Sequence, residues 1–262
     1  MTALAPTVGR ASRGAPRPVL VAIVAAWAVA IVAELTGKAH ALHHDALIEH
    51  GPPMWAAVLL FLVAWQAMVA AMMLPSSLPL IRLFEAASSK QKHPRRVRAA
   101  FLSGYAAVWS AFGAFAFLGD VGVHRTVDSV AWLGARPWLI GGTTLMLAGA
   151  FQFSGLKDMC LTKCRQPGPF LLAYYRRGAD GGFQLGVRHG VFCLGCCWAL
   201  MLVMFAAGVA VLWWMAALTA VMVYEKTGRH GQTLTSLVGV TLLGLAAIAF
   251  AHPHWFPTPF VH

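Results

Sequence analysis

Residues 54–74 read MWAAVLLFLVAWQAMVAAMML, a stretch without a charged side chain. Coiled into an α-helix it would be about 31 Å long, which matches the hydrocarbon thickness of a bilayer. Similar runs recur at 18–36, 99–119, 138–156 and 233–250, and residues 187–224 are nearly all apolar. That last stretch is too long for one crossing, and Gly208 near its middle divides it into 187–207 and 210–226. In lipid a segment must satisfy its own backbone hydrogen bonds, and these runs lack the period-two alternation of barrel strands. The expected fold is therefore all-α: a polytopic transmembrane helical bundle of about seven spans within residues 18–250. A flexible basic tail is expected at 1–17 and a short external tail at 251–262.

The charge distribution supports this reading. Only 11% of the residues are charged, about half the proportion usual in a soluble domain. A net charge of +11 would suggest nucleic acid in a soluble chain, but here the cations collect between the apolar runs and nucleic acid is not an expected partner. One set of connections holds Arg10, Arg13 and Arg17, then Arg82, Lys90, Lys92, Arg95, Arg96 and Arg98, then Lys157, Lys163, Arg165, Arg176 and Arg177, then Lys226 and Arg229. The alternate connections hold only Lys38, Arg125 and Arg136. This alternation predicts a cytoplasmic N-terminus and an external C-terminus. The first run could instead be a signal peptide cleaved after Ala39-His40-Ala41. Its length and the interruptions at Glu34 and Lys38 favour an uncleaved anchor. Gly104, Gly113, Gly141, Gly142 and Gly149 would let helices approach closely. No internal repeat supports a duplicated transporter.

All five cysteines fall at one expected depth, near the cytoplasmic face. Cys160 and Cys164 lie just past the fourth run in KDMCLTKCRQP, and Cys193, Cys196 and Cys197 lie early in the fifth, in GVFCLGCCWALM. If the helix continues through 160–164, the first two stack one turn apart. His189, Cys193 and Cys197 form an i, i+4, i+8 stripe with Cys196 beside it. Soft thiolates suit Cu(I) and zinc, and imidazole suits both; structural zinc would require four ligands. Met68, Met72 and Met73 approach the same depth from the second run, with Met72 and Met73 the candidate thioether ligands, and Met201 and Met204 lie deeper. Glu225-Lys226 reads as an interfacial pair. His40, His43, His44 and His50 in the first loop, and His252, His254 and His262 near the C-terminus, do not converge on an acidic ligand.

MMLPSSLP at 72–79, GYAAVW at 104–109, LKDMCLTKCRQP at 156–167, GVRHGVFCLGCCWALM at 186–201 and WWMAALTAVMVYEK at 213–226 together resemble the bacterial predicted metal-binding integral membrane proteins. Members of that family of unknown function are sometimes labelled copper chaperones. The resemblance spans residues 54–250 and implies a multi-pass protein of the bacterial cytoplasmic (inner) membrane that binds metal through Cys160, Cys164, Cys193, Cys196 and Cys197. His189 is added by the helical stripe.

The expected function is non-enzymatic: binding of Cu(I), with zinc as the alternative metal, for delivery or transport. Expected partners are the metal ion, membrane lipid, and a membrane metalloenzyme or small metallochaperone. Two other classes stay open. A membrane thiol–disulfide oxidoreductase would use the paired cysteines as attacking and resolving thiols, and a structural subunit would use them only for packing. Haem lacks a C-x-x-C-H attachment sequence.

Overall fold

The computed structural model describes residues 16–37, 53–136, 138–206 and 212–253. The helices, in order, are α1 (Arg17–Leu35), α2 (Met54–Ser88), α3 (Pro94–Ser129), the short α4 (Ala131–Gly134), α5 (Trp138–Phe151), α6 (Gly155–Arg165), α7 (Pro167–Tyr174), α8 (Gly178–Ala206), α9 (Leu212–Thr227) and α10 (Gly231–Ala251). Five of them, α1, α2, α3, α8 and α10, are long and apolar enough to cross a membrane. The pair α5–α6, bent by 63°, makes a sixth if it is one broken span. The chain is a polytopic helical membrane protein.

The span count differs from seven for two local reasons. The segment expected at 210–226 is α9, whose 16 residues reach only about 24 Å. The segment expected at 138–156 stops at Phe151, and the chain turns through Gln152–Ser154 before α6 begins. The Ser154 side chain accepts a hydrogen bond from the Lys157 backbone N–H, which caps the new helix. The tail before Pro16, the Ala39-His40-Ala41 junction with His43, His44 and His50, the break at Gly208, and His254 and His262 lie outside the described residues.

The apolar run ends at Leu74, just before Pro75, but α2 continues through Pro75 and Pro79 to Ser88. A proline in a helix leaves the carbonyl four residues earlier without its donor. Here that carbonyl is Ala71, and it accepts the Trp27 indole N–H from α1 at 3.0 Å. The polar stretch 157–184, with no apolar run to mark it, is likewise helical in α6, α7 and the start of α8.

Helix α8 lies at the centre, packed against α3, α6 and α5, while α2 packs against α1, α3 and α9, and α10 against α5. The α3–α8 contact is intimate: a Cβ on Gly104 or Gly186 would run into the carbonyl of Phe183 or Phe101. The α2–α3 contact carries polar links, with Trp65 Nε1 donating to the Trp109 carbonyl at 2.8 Å and Gln66 Nε2 donating to Ser110 Oγ at 2.7 Å. These fixed contacts align the sulfur-bearing parts of α2, α6, α8 and α9.

Candidate functional site

The helical stripe on α8 is buried along its length. His189 is 5% exposed, Cys193 0%, and Cys196 and Cys197 1% each. Both thiols of the adjacent pair turn back onto their own helix. Cys197 Sγ donates to the Cys193 carbonyl at 2.7 Å and Cys196 Sγ donates to the same oxygen at 3.1 Å.

From there the sulfurs divide between two neighbours. Toward α2, Cys197 Sγ lies 3.6 Å from Met73 Sδ. Toward α6, Cys196 Sγ lies 3.9 Å from Cys164 Sγ. The approach of α6 depends on Gly195, where a Cβ would sit 2.6 Å from Cys160 Sγ. The structure therefore brings Cys160 and Cys164 against the fifth run, as their common depth suggests, and α6 places them one turn apart. Met72 is fully buried on α2, but among the described residues only Met73 of the two meets a cysteine sulfur. His189 also stays out of the sulfur contacts. Its Nε2 is 3.0 Å from Ser77 Oγ and its ring stacks on Tyr105 at 5.5 Å.

Two side chains play a larger part than their sequence position suggests. Glu225 and Lys226 are not an interfacial pair; they are 2% and 6% exposed, with separate partners. Glu225 takes Lys157 Nζ from α6 at 2.9 and 3.1 Å. Arg165 of α6 also donates to the carbonyls of Glu225 and Gly228, fixing the end of α9 against α6. Lys226 reaches the other way, to Cys193 Sγ at 3.2 Å and Ser76 Oγ at 3.0 Å. The Tyr105 hydroxyl completes this group, 3.1 Å from Cys193 Sγ.

Two buried ammonium groups thus share one buried carboxylate among the described residues, and Lys157 holds it. The nearest atom able to carry negative charge beside Lys226 is Cys193 Sγ. The sequence signal for this was a lysine in the apolar WWMAALTAVMVYEK helix; an ionisable residue within such a segment marks a functional position by default.

Among the described residues, no group of three or more His, Cys, Asp or Glu side chains could hold a metal ion. The sulfurs meet in pairs, not in a closed ligand set. On geometry, cysteines that pack and contact one another are better supported than a ready-made Cu(I) or zinc site.

A family model described as copper chaperone, PpoB2, matches residues 62–249, well over half of the chain. The chain belongs to that family. The PpoB2 match contains every cysteine and each motif on which the sequence resemblance was based. No curated protein and no solved structure matches the chain.

Proposed function

We propose that this chain is a non-catalytic, metal-handling protein of the bacterial inner membrane whose cysteines are packed thiols in the form described. One observation carries the packed-thiol part of the reading: Cys196 meets Cys164, Cys197 meets Met73 and Cys193 meets Lys226, without a group of three metal-binding side chains among the described residues. The family description supports copper as cargo. Cu(I) is the better candidate chemically, because soft thiolates and thioethers select it, whereas structural zinc requires a closed set of four ligands. Delivery to a membrane metalloenzyme or small metallochaperone would follow loading at a sulfur pair.

Anaerobic Cu(I) titration of the protein in mild detergent tests this, comparing the parent with C160S/C164S, C193S/C197S and the combined variant. Binding by the parent that is lost in the combined variant supports metal handling. Equal binding by all four would leave the cysteines as packing residues only. Loss of most binding in either double variant indicates one shared site, while independent losses indicate two.

A second reading, thiol–disulfide exchange, is favoured by the Cys164–Cys196 contact. Mild treatment with a disulfide reagent followed by peptide mapping should then link α6 to α8 through these two residues. Recovery of five free thiols after treatment would end that reading.

The orientation belongs to the same proposal: the N-terminus in the cytoplasm, from the Lys/Arg alternation, with seven crossings only when the bent α5–α6 pair and the short α9 each count as one. Reporter fusions after Lys92 and Arg177 should report cytoplasm and one after Asp128 the exterior. A reversed reporter at any of the three breaks the topology.

A further inference from the structure

The turn between α2 and α3 carries a second, unrelated concentration of chemistry. Lys92, His93, Pro94, Arg95 and Arg96 line an open depression of about 390 Å³, and all five residues are exposed. The acids nearby do not neutralise it. Glu85 is held by Arg98 at 2.9 Å, and Asp180 lies in the first turn of α8 beside Arg176 and Arg177. Among the described residues none of Lys90, Lys92, Arg95 and Arg96 is in an ion pair.

The turn is held in place. Gln91 Oε1 accepts the Gly178 backbone N–H at 2.8 Å, while its amide nitrogen donates to the Tyr175 hydroxyl at 3.0 Å. Tyr175 in turn donates to the Ala87 carbonyl at 2.9 Å. These bonds join the α2–α3 turn to the α7–α8 junction and bring the exposed Arg176 and Arg177 to the same end of the bundle. The start of α3 adds polarity of the same sign. No side chain caps it, so its first backbone N–H groups are open to an anionic acceptor.

The position favours a lipid over a soluble anion. Within one helical turn of Arg95 and Arg96, α3 enters the apolar run AAFLSGYAAVW. The cations therefore stand where charge gives way to hydrocarbon, at headgroup level. Clusters of basic residues next to a membrane-crossing helix gain affinity from anionic lipid, and a pinned turn loses less freedom on binding than a loose one.

We infer that the Lys92–Arg96 depression is a binding site for the phosphodiester headgroup of an anionic phospholipid. The site uses the side chains of Lys92, Arg95 and Arg96 and the first amides of α3, and it is independent of the sulfur cluster and of any metal.

The test uses the full chain in nanodiscs of phosphatidylcholine and phosphatidylglycerol in equal parts. Bound lipid is counted by native mass spectrometry after mild release, for the parent, for K92Q/R95Q/R96Q and for the control K38Q/R125Q/R136Q, which also removes three cations. Each basic residue near an anionic surface is worth about five-fold in binding, so the triple variant should lose retained phosphatidylglycerol on the order of a hundred-fold. The control should keep it, and both variants should elute as the parent does in phosphatidylcholine alone. Equal loss in the control would overturn the site in favour of general surface charge. Unchanged retention in the triple variant would also overturn it, and displacement of the lipid by millimolar inorganic phosphate would reassign the depression to a free anion.

Discussion

Helix α8 presents sulfur to two sides of the bundle, and the two sides are built differently. Toward α6, thiol meets thiol: Cys196 faces Cys164, and Gly195 admits Cys160. Toward α2, α3 and α9, Cys197 meets the Met73 thioether, while Cys193 meets the Tyr105 hydroxyl and the Lys226 ammonium, which in turn donates to Ser76. The first side is arranged for contact or bonding between sulfurs. The second surrounds sulfur with groups of other chemistry, so its thiols have a polar and charged environment inside an apolar bundle. The five cysteines are therefore not equivalent thiols.

The largest expected effect separates the two lysines that border these sides. Lys157→Met leaves Glu225 buried without its partner and should cost about 3–5 kcal/mol of stability. Lys226→Met leaves no buried carboxylate unpaired, only hydrogen-bonding atoms, and should cost about 1–2 kcal/mol. Unfolding in detergent, followed by tryptophan fluorescence, measures both. The double change Lys157→Met/Glu225→Leu should recover most of the loss, since apolar replacement of a buried pair is often neutral. If Lys226→Met proves as costly as Lys157→Met, Cys193 is a full ionic partner and the second side is an ion-pair site.

Much of this bundle was legible in the sequence, and the unread parts have tertiary causes. Apolar length alone located α1, α3 and α10, and shared depth brought Cys160 and Cys164 to the α8 cysteines. The passage of α2 through Pro75 was not legible, because the group that satisfies the freed Ala71 carbonyl is Trp27, 44 residues away. The bend between α5 and α6 was hidden for a similar reason: the apolar run continues through it while Ser154 starts a new helix. Lys226 reads as a helix-end charge until Glu225 is seen to be occupied by Lys157. His189 fits the ligand stripe by spacing, yet Ser77 and the Tyr105 ring hold it.

A smaller effect should disturb one side of α8 and spare the other. Gly195→Val introduces a side chain where Cys160 Sγ already leaves no room for a Cβ. Overpacking of this kind costs about 1–3 kcal/mol and would push α6 outward. Maleimide labelling of Cys164, which is only half-buried, should become faster, while the buried Cys193 should label no faster than in the parent. Equal acceleration at both would mean that the two sides open together, and that the distinction between them is static only.

The smallest effect concerns two adjacent methionines. Met72 and Met73 are both fully buried, so replacing either with leucine should change stability by less than about 1.5 kcal/mol. They differ in what the sulfur meets, since Met73 Sδ lies against Cys197 Sγ. A soft cation loaded on the second side would find that thioether beside a thiol, and sulfur ligands of both kinds select Cu(I). Met73→Leu should weaken anaerobic Cu(I) binding by roughly three- to ten-fold, the scale of one weak ligand among several (ten-fold being about 1.4 kcal/mol). Met72→Leu should leave it unchanged. A reversed order would move the cargo to the other face of α2. Equal, negligible effects would confine any bound Cu(I) to the thiols, with the α6 side then the stronger candidate because there two cysteines already face each other across helices.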